Sequence, residues 1–373
     1  MFLAIRELTH SKLRFFMIAM ILVLISWLVF ILSGLGNGLS SLVAASLKNM
    51  DAEYVVFEEG SRHSMSRSVI SESLVEELKA QNNVENAAPI GSLVAVVLEE
   101  GKESDSEKID VSILGVQPGS FLEPEITEGH SLIDGEDFQV IVNSSLKEQG
   151  IEIGDRLEIE GTLDTIEVIG FTEGETFNHL PSVFINIDQW RSLNFAAPGS
   201  DMGIESPVNA IMLQGDSIES DKLESKFDGI EIATKNEAIK GLPGYTAENG
   251  TIMMMLGFLL VISAFVIGVF FYVLTLQNTN QFGVMKAIGA SNRFLTGAIV
   301  SQITILTIIS IGIGVFLTYG TAAILPSGMP FLMDPKLIFT YAIVLLAVSI
   351  LSSLISVRQI TKIDPLQAIG RVE

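Results

Sequence analysis

The sequence predicts a membrane α-helical bundle: four transmembrane helices with both termini inside and a large extracellular mixed α/β domain between helices 1 and 2. Three observations carry that expectation. The chain is 48% hydrophobic over 373 residues yet has a formal net charge of −22. The charge is segregated, with 40 Asp/Glu and 13 Lys/Arg between Gly36 and Gly250 but 4 and 9 in the remainder. Uncharged apolar runs occupy that remainder, and the one from Ile252 to Leu276 reaches about 37 Å as a helix, against a hydrocarbon core of about 30 Å.

Residues 1–14 (MFLAIRELTHSKLR) set Leu3, Ile5, Leu8 and Leu13 against Arg6, Lys12 and Arg14, an amphipathic helix for the inner membrane surface. Residues 15–35 form the first span, and Gly34, Gly36 and Gly38 are expected to loosen its exit. The run is too long for a signal-peptide h-region and lacks an A-x-A-like cleavage site, so it reads as a retained anchor. Bases before it and acids after it put the N-terminus in the cytoplasm.

Residues 36–250 form the extracellular domain. A Ser start, early acids and a late Lys predict a helix over 71–81. Val- and Ile-rich stretches at 92–99, 109–116 and 138–143 predict strands. Alternation over 151–170, around Gly154-Asp155 and Gly161-Thr162, predicts a small β-meander. Two more strands at 209–213 and 230–233 flank a helix at 218–227, and the acidic tract 99–110 reads as a solvated hairpin tip.

The second span is 251–276. Residues 277–294 are cytoplasmic and hold a short amphipathic stretch with Phe282, Met285 and Ile288 at spacing three, ending at Gly289. The third span, 295–325, carries Ser301, Gln302, Thr304, Thr307 and Ser310, a polar row suited to close helix packing, with Ser310 and Gly314 at spacing four. An outer loop at 326–336 leads to the fourth span, 337–357, and a cytoplasmic tail, 358–373. Lys286, Arg293, Arg358, Lys362 and Arg371 again lie on the inner side.

Several chemistries are excluded at once. So acidic a domain repels nucleic-acid phosphates. Cysteine is absent, which removes disulfides and thiolate sites. His10, His63, His130 and His179 are scattered without a metal-ligand spacing, G-x-S-x-G is missing, and no G-x-x-x-x-G-K-[ST] loop is present to bind a nucleotide. No catalytic residue, metal site or intrinsic cofactor is expected. Energy-driven work would need a partner's ATPase.

The opening IRELTHSKLRFF, the post-span FGVMKAIGASNRF and the terminal IDPLQAIG resemble permease subunits of ABC transporters in the MacB/FtsX superfamily. The resemblance covers essentially the whole chain. Glu7, Leu8, Ser11, Lys12, Leu13 and Arg14 are most similar to haem-exporting permeases of Gram-positive bacteria and to DevC-type permeases. The resemblance implies a homodimer in a bacterial plasma membrane, bound to two copies of an ATPase that holds ATP and Mg²⁺. It also implies that Phe282, Val284, Met285, Lys286, Ala287, Ile288, Gly289 and Ala290 form the coupling helix docking on that ATPase. Gln281 stands where many relatives have an acid. The same stretch also suits an ordinary amphipathic turn between two spans. Asp364-Pro365 would cap and open a final helix bracing it.

For substrate, the outer mouth of the second span is the informative place. Glu248 lies beside Tyr245 and ahead of Met253, Met254 and Met255. A carboxylate, a phenol and thioethers can all ligate haem iron, and Met packs softly on flat molecules. Glu248 equally suits a helix N-terminus, with Asn249 as a cap and the methionines as apolar filling. The function expected is export of haem or a similar amphipathic molecule. The alternatives are an FtsX-like mechanical transmitter acting on an extracellular protein, and export of antimicrobial peptides.

Overall fold

The computed structural model describes residues 12–101, 108–135, 138–277, 279–326 and 329–361. Residues 1–11 of the helix predicted over 1–14, residues 102–107 of the acidic tip predicted over 99–110, and residues 362–373 of the tail, Asp364-Pro365 included, lie outside the described residues. The chain divides into two compact units, a helical one (Met1–Gly38 with Gly250–Glu373) and an inserted one (Leu39–Asn249).

The first helix, α1, runs Lys12–Asn49. There follow β1 (Tyr54–Glu58), β2 (Ile70–Ser71), α2 (Leu74–Lys79), β3 (Asn86–Glu99), β4 (Ile109–Val116), β5 (Ile126–Gly129) and β6 (Gln139–Asn143). Next come β7 (Arg156–Ile159), β8 (Thr165–Thr172), β9 (Thr176–Phe177), β10 (Leu180–Asn186), α3 (Ile187–Asn194), β11 (Pro207–Val208), β12 (Ala210–Gln214), α4 (Ser220–Glu224), β13 (Ile230–Thr234) and α5 (Lys235–Gly241). The helical unit is completed by α6 (Tyr245–Gln277), α7 (Thr279–Ala287), α8 (Asn292–Ala322) and α9 (Pro335–Thr361).

In the inserted unit the main sheet has the order β13-β1-β12-β3-β4-β10-β6-β8-β5, antiparallel except for β4/β10 and β6/β8. Period-2 alternation buries both faces. Val111 and Ile113 of β4, Val183 and Ile185 of β10, and Val140 and Val142 of β6 point to a core shared with α2, α3 and α4. Leu114, Phe184 and Ile141 point to the other core, with Val43, Ala44 and Leu47 of α1 and Ala238 and Ile239 of α5. Trp190 of α3 seats its indole over Gly91 and Gly115 on adjacent strands, where any side chain would occupy the ring's space. α5 begins with a capping box: Glu237 N donates to Thr234 Oγ1 at 3.3 Å, and Thr234 N donates to Glu237 Oε2 at 2.9 Å.

Several sequence expectations need correction. The helix predicted over 71–81 is confined to Leu74–Lys79, because Ser71 belongs to β2 and pairs with Pro207. The meander over 151–170 is one hairpin, β7/β8, turning at Gly161; residues 151–154 are not a strand. Gly34, Gly36 and Gly38 do not loosen α1, which continues to Asn49 with a break in helical geometry only at Ala44. They instead admit close neighbours: a Cβ on Gly34 would lie 2.7 Å from the Phe331 ring, and those on Gly36 and Gly38 would collide with Ile252 and the Pro330 carbonyl.

Among the described residues, four helices are long and apolar enough to cross a membrane, within α1, α6, α8 and α9. Phe15, Ile18 and Leu22 of α1, Ile267 and Phe271 of α6, and Leu295, Ile299, Ile303 and Leu306 of α8 form the core of the helical unit. The polar row of α8 does pack: Ser310 Oγ donates to Ala19 O at 3.3 Å, Ser26 Oγ donates to Ser310 O at 3.4 Å, and Gly314 leaves room for Ser26. Trp27 Nε1 donates to Thr321 Oγ1 at 3.2 Å. α9 starts with Pro335 at its first position and Asp334 Oδ1 accepting from Lys336 N at 2.8 Å, favourable helix-start chemistry.

Candidate functional site

Pro243 and Gly244, the latter at φ +81°, separate α5 from α6, so Tyr245 and Glu248 fall on the first turn of α6. A carboxylate there is favoured by the helix dipole, and Glu248 N donates to Gly244 O at 3.0 Å. Glu248 also has a partner that no local signal announces: His179 Nε2 stands 3.2 Å from its Oε1. His179 sits with Asn178 on the tight turn joining β9 to β10, at φ +66° and +52°. Their amides donate to Leu42 O at 3.0 Å and Val43 O at 2.9 Å, which clamps the turn onto the inserted unit's part of α1.

The same part of α1 presents Ser40 and Lys48. Ser40 Oγ donates to Tyr245 Oη at 3.2 Å, and Lys48 Nζ donates to Ser40 Oγ at 3.0 Å and to Ser40 O at 3.1 Å. The Lys48 ammonium lies 5.7 Å from the centre of the Tyr245 ring. The result is a partly exposed cluster of carboxylate, imidazole, phenol and ammonium within the inserted unit. Imidazole, phenolate and carboxylate are iron-ligating groups, and an ammonium pairs with a substrate's carboxylates.

Met253, Met254 and Met255 belong to the helical unit, where they are largely exposed rather than part of its core. Among the described residues no group of three or more His, Asp or Glu has the arrangement to hold a metal ion.

α7 ends as its sequence dictates. Gly289, at φ +98°, carries a Schellman closure in which Gly289 N donates to Lys286 O at 3.0 Å and Ala290 N to Met285 O at 2.9 Å. Ser291 then caps α8, its Oγ accepting from Phe294 N at 3.2 Å. The apolar face expected from Phe282, Met285 and Ile288 divides. Met285 packs against the helical core, whereas Ile288 is 80% exposed, with Val284 four residues before it at 53%. Four-residue spacing, not three, puts these two on one side of α7. Ala287 is exposed, and the Phe282 side chain lies outside the described residues.

Comparison with known proteins matches this architecture in two parts. The FtsX-like permease C-terminal family matches residues 253–365, and the MacB-like periplasmic core domain family matches residues 15–225. The putative hemin transport system permease protein HrtB of Staphylococcus epidermidis is 26% identical over 369 residues, covering 99% of each chain. That of Staphylococcus haemolyticus is 25% identical, covering 100% of this chain and 99% of its own. An uncharacterized ABC transporter permease of Mycobacterium tuberculosis is 21% identical and covers 99% of both. Among solved structures, the periplasmic region of MacB from Actinobacillus actinomycetemcomitans aligns with TM-score 0.37 and 14% identity over 51% of this chain and 92% of that one. The chain belongs to the MacB/FtsX family of ABC transporter permeases.

Proposed function

We propose that this permease acts as a homodimer with two copies of a separate ABC ATPase and expels haem, or a similar flat amphipathic molecule, from the plasma membrane of a Gram-positive bacterium. The observation that carries the reading is the end-to-end match to the staphylococcal permeases named for hemin transport. The absence of a nucleotide-binding loop from this sequence supports a partner as the source of energy.

In this reading ATP binding draws the coupling helices together. Exposed Val284 and Ile288 supply the apolar contact with the ATPase, and Lys286 and Gly289 set the end of α7. At the other end of α6, Glu248, Tyr245 and His179 engage the substrate, with Lys48 available for its carboxylates. Taken by themselves, Met253, Met254 and Met255 of the helical unit offer a soft, exposed apolar surface suited to a flat molecule.

The test is haem titration of the full chain in lipid nanodiscs, followed by the Soret difference spectrum, for wild type and for Glu248→Ala and His179→Ala. The expected result is affinity about tenfold weaker in each variant, a difference of about 1.4 kcal/mol, with dimer assembly retained. Unchanged spectra and affinities in both variants would remove these residues from the substrate path.

A further inference from the structure

A second feature of the inserted unit does not depend on the haem reading. A cavity of about 590 Å³ opens between the end of α1, the loop after β4, the segment joining β8 to β9, and β10. Its volume falls in the range of small-molecule pockets. Among the described residues five carboxylates line it, from Asp51, Glu123, Glu125, Glu173 and Glu175, and no Lys, Arg or His does.

The carboxylates differ in what they already do. Glu123 is committed to its own loop, accepting from Leu132 N at 2.8 Å and Gly119 N at 3.0 Å. Asp51 accepts from Gln214 Nε2 at 2.8 Å. Glu125 and Glu173 are exposed at the rim, and their carboxylates take no hydrogen bond from a described residue. Glu175 is the exception in depth, being only 5% exposed. Its backbone carbonyl is held by Asn143 and by Ser182 N, and its Oε1 accepts from Asn49 Nδ2 at 2.8 Å. Its Oε2 meets no donor from a described residue, and Glu175 is the one nearly buried carboxylate residue among those that line the cavity. A carboxylate this buried is ordinarily paired with a cation, and here the cavity stands in the place of one.

The C-terminal end of α1 closes one side through Ser46 and Asn49, and its last carbonyls are already occupied by the Lys235 ammonium, which donates to Lys48 O at 3.2 Å and to Met50 O at 2.9 Å. One further feature favours an organic cation. Phe121, Leu122, Phe184 and Met50 supply apolar wall, including aromatic surface suited to an organic cation. The volume and these walls fit a molecule rather than a bare ion.

We infer that this cavity is a binding site for an organic cation, an ammonium or guanidinium group on an apolar stem, with Glu175 as its buried counter-charge and Glu173 and Glu125 as its rim. The full chain in neutral-lipid nanodiscs is titrated calorimetrically with phenethylammonium, phenethylguanidinium and, as an uncharged control, 2-phenylethanol, with empty nanodiscs subtracted. Saturable binding of the cations and none of the alcohol is expected. Glu175→Gln, which keeps the shape and the Asn49 bond, weakens cation binding about tenfold, equivalent to about 1.4 kcal/mol.

The rim double variant Glu125→Gln/Glu173→Gln, on exposed and unpartnered side chains, gives a smaller loss and decides the matter if Glu175→Gln does not fold. A blocked Phe-Arg-Phe peptide, compared with the free guanidinium, tells whether the cation is accepted better as a side chain or as a small molecule; preference for either supports the site. Equal binding of the alcohol, or cation binding unchanged in the variants that fold, overturns it.

Discussion

Replacing Gly115 by Ala tests how the inserted domain is held together. The added Cβ would lie 2.5 Å from Trp190 Cβ and 2.6 Å from its Cγ, where carbon–carbon contacts settle at about 3.5–4.0 Å, so about 1 Å of separation must be created. Those two atoms are the root of the Trp190 side chain, and rotation about χ1 does not move Cβ. Either α3 or β4 must therefore shift, and overpacking of this kind costs about 1–3 kcal/mol. Gly91→Ala instead meets the far ring atoms Cδ2, Cε2 and Cε3. Trp190→Ala should consequently relieve the Gly91 variant and leave much of the Gly115 penalty.

Hydrogen exchange read by mass spectrometry on the full chain follows the amides of β3 and β4. Opening there should become more frequent by about 5- to 150-fold in Gly115→Ala, the range those energies imply. Unchanged exchange in β4, or rescue of both glycine variants alike by Trp190→Ala, would refute the packing argument.

Three other predictions follow from separate parts of the structure. The sequence has no cysteine, so Ser26→Cys/Gly314→Cys introduces a unique pair. With the position-314 Cβ at 3.1 Å from that of residue 26, it should cross-link α1 to α8 on mild oxidation, seen as altered mobility after cleavage of the inserted domain. Glu231 is opposed in ionisation by burial, but hydrogen bonds from Ser61 Oγ, His63 N and Gly60 N outweigh that and hold its carboxyl below the usual value of 4.5. Its stabilisation is thus complete above that value and is lost as pH falls through the lower, folded one, so the melting-temperature gap between wild type and Glu231→Gln should be present at pH 7 and close in acid. Finally, Val284→Asp/Ile288→Asp should abolish co-purification of the ATPase while leaving the permease folded, since both side chains are exposed.

The bundle was legible because uncharged runs the length of a bilayer have few other uses, and β4 was legible because its Val and Ile residues mark a strand buried on both faces. The strands β1 and β10 and the helix α3 escaped the sequence reading. β10 carries Pro181 and two polar residues, and its place in the sheet comes from a parallel pairing with β4 that no local pattern encodes. Gly34, Gly36 and Gly38 were misread for a related reason. Glycine weakens an isolated helix, but here Phe331, Ile252 and Pro330 occupy the space its missing side chains leave. Glu248 and Tyr245 could be singled out from their place before an apolar run, whereas His179 could not, because a turn far away in sequence delivers it. The acidic cavity is the extreme case: composition displays the surplus of carboxylates, but only the fold shows that Glu175 is buried with no counter-charge among the described residues.

The most direct test of the central claim is the ATPase activity of the permease purified with its cognate ABC ATPase in nanodiscs, measured with added haem, cationic peptides and detergent-like amphiphiles. Haem is expected to raise ATP hydrolysis, and Glu248→Ala/His179→Ala to remove the increase without lowering the basal rate. A coupled complex whose hydrolysis is indifferent to haem, and responds instead to a peptide or to an extracellular protein, would contradict it.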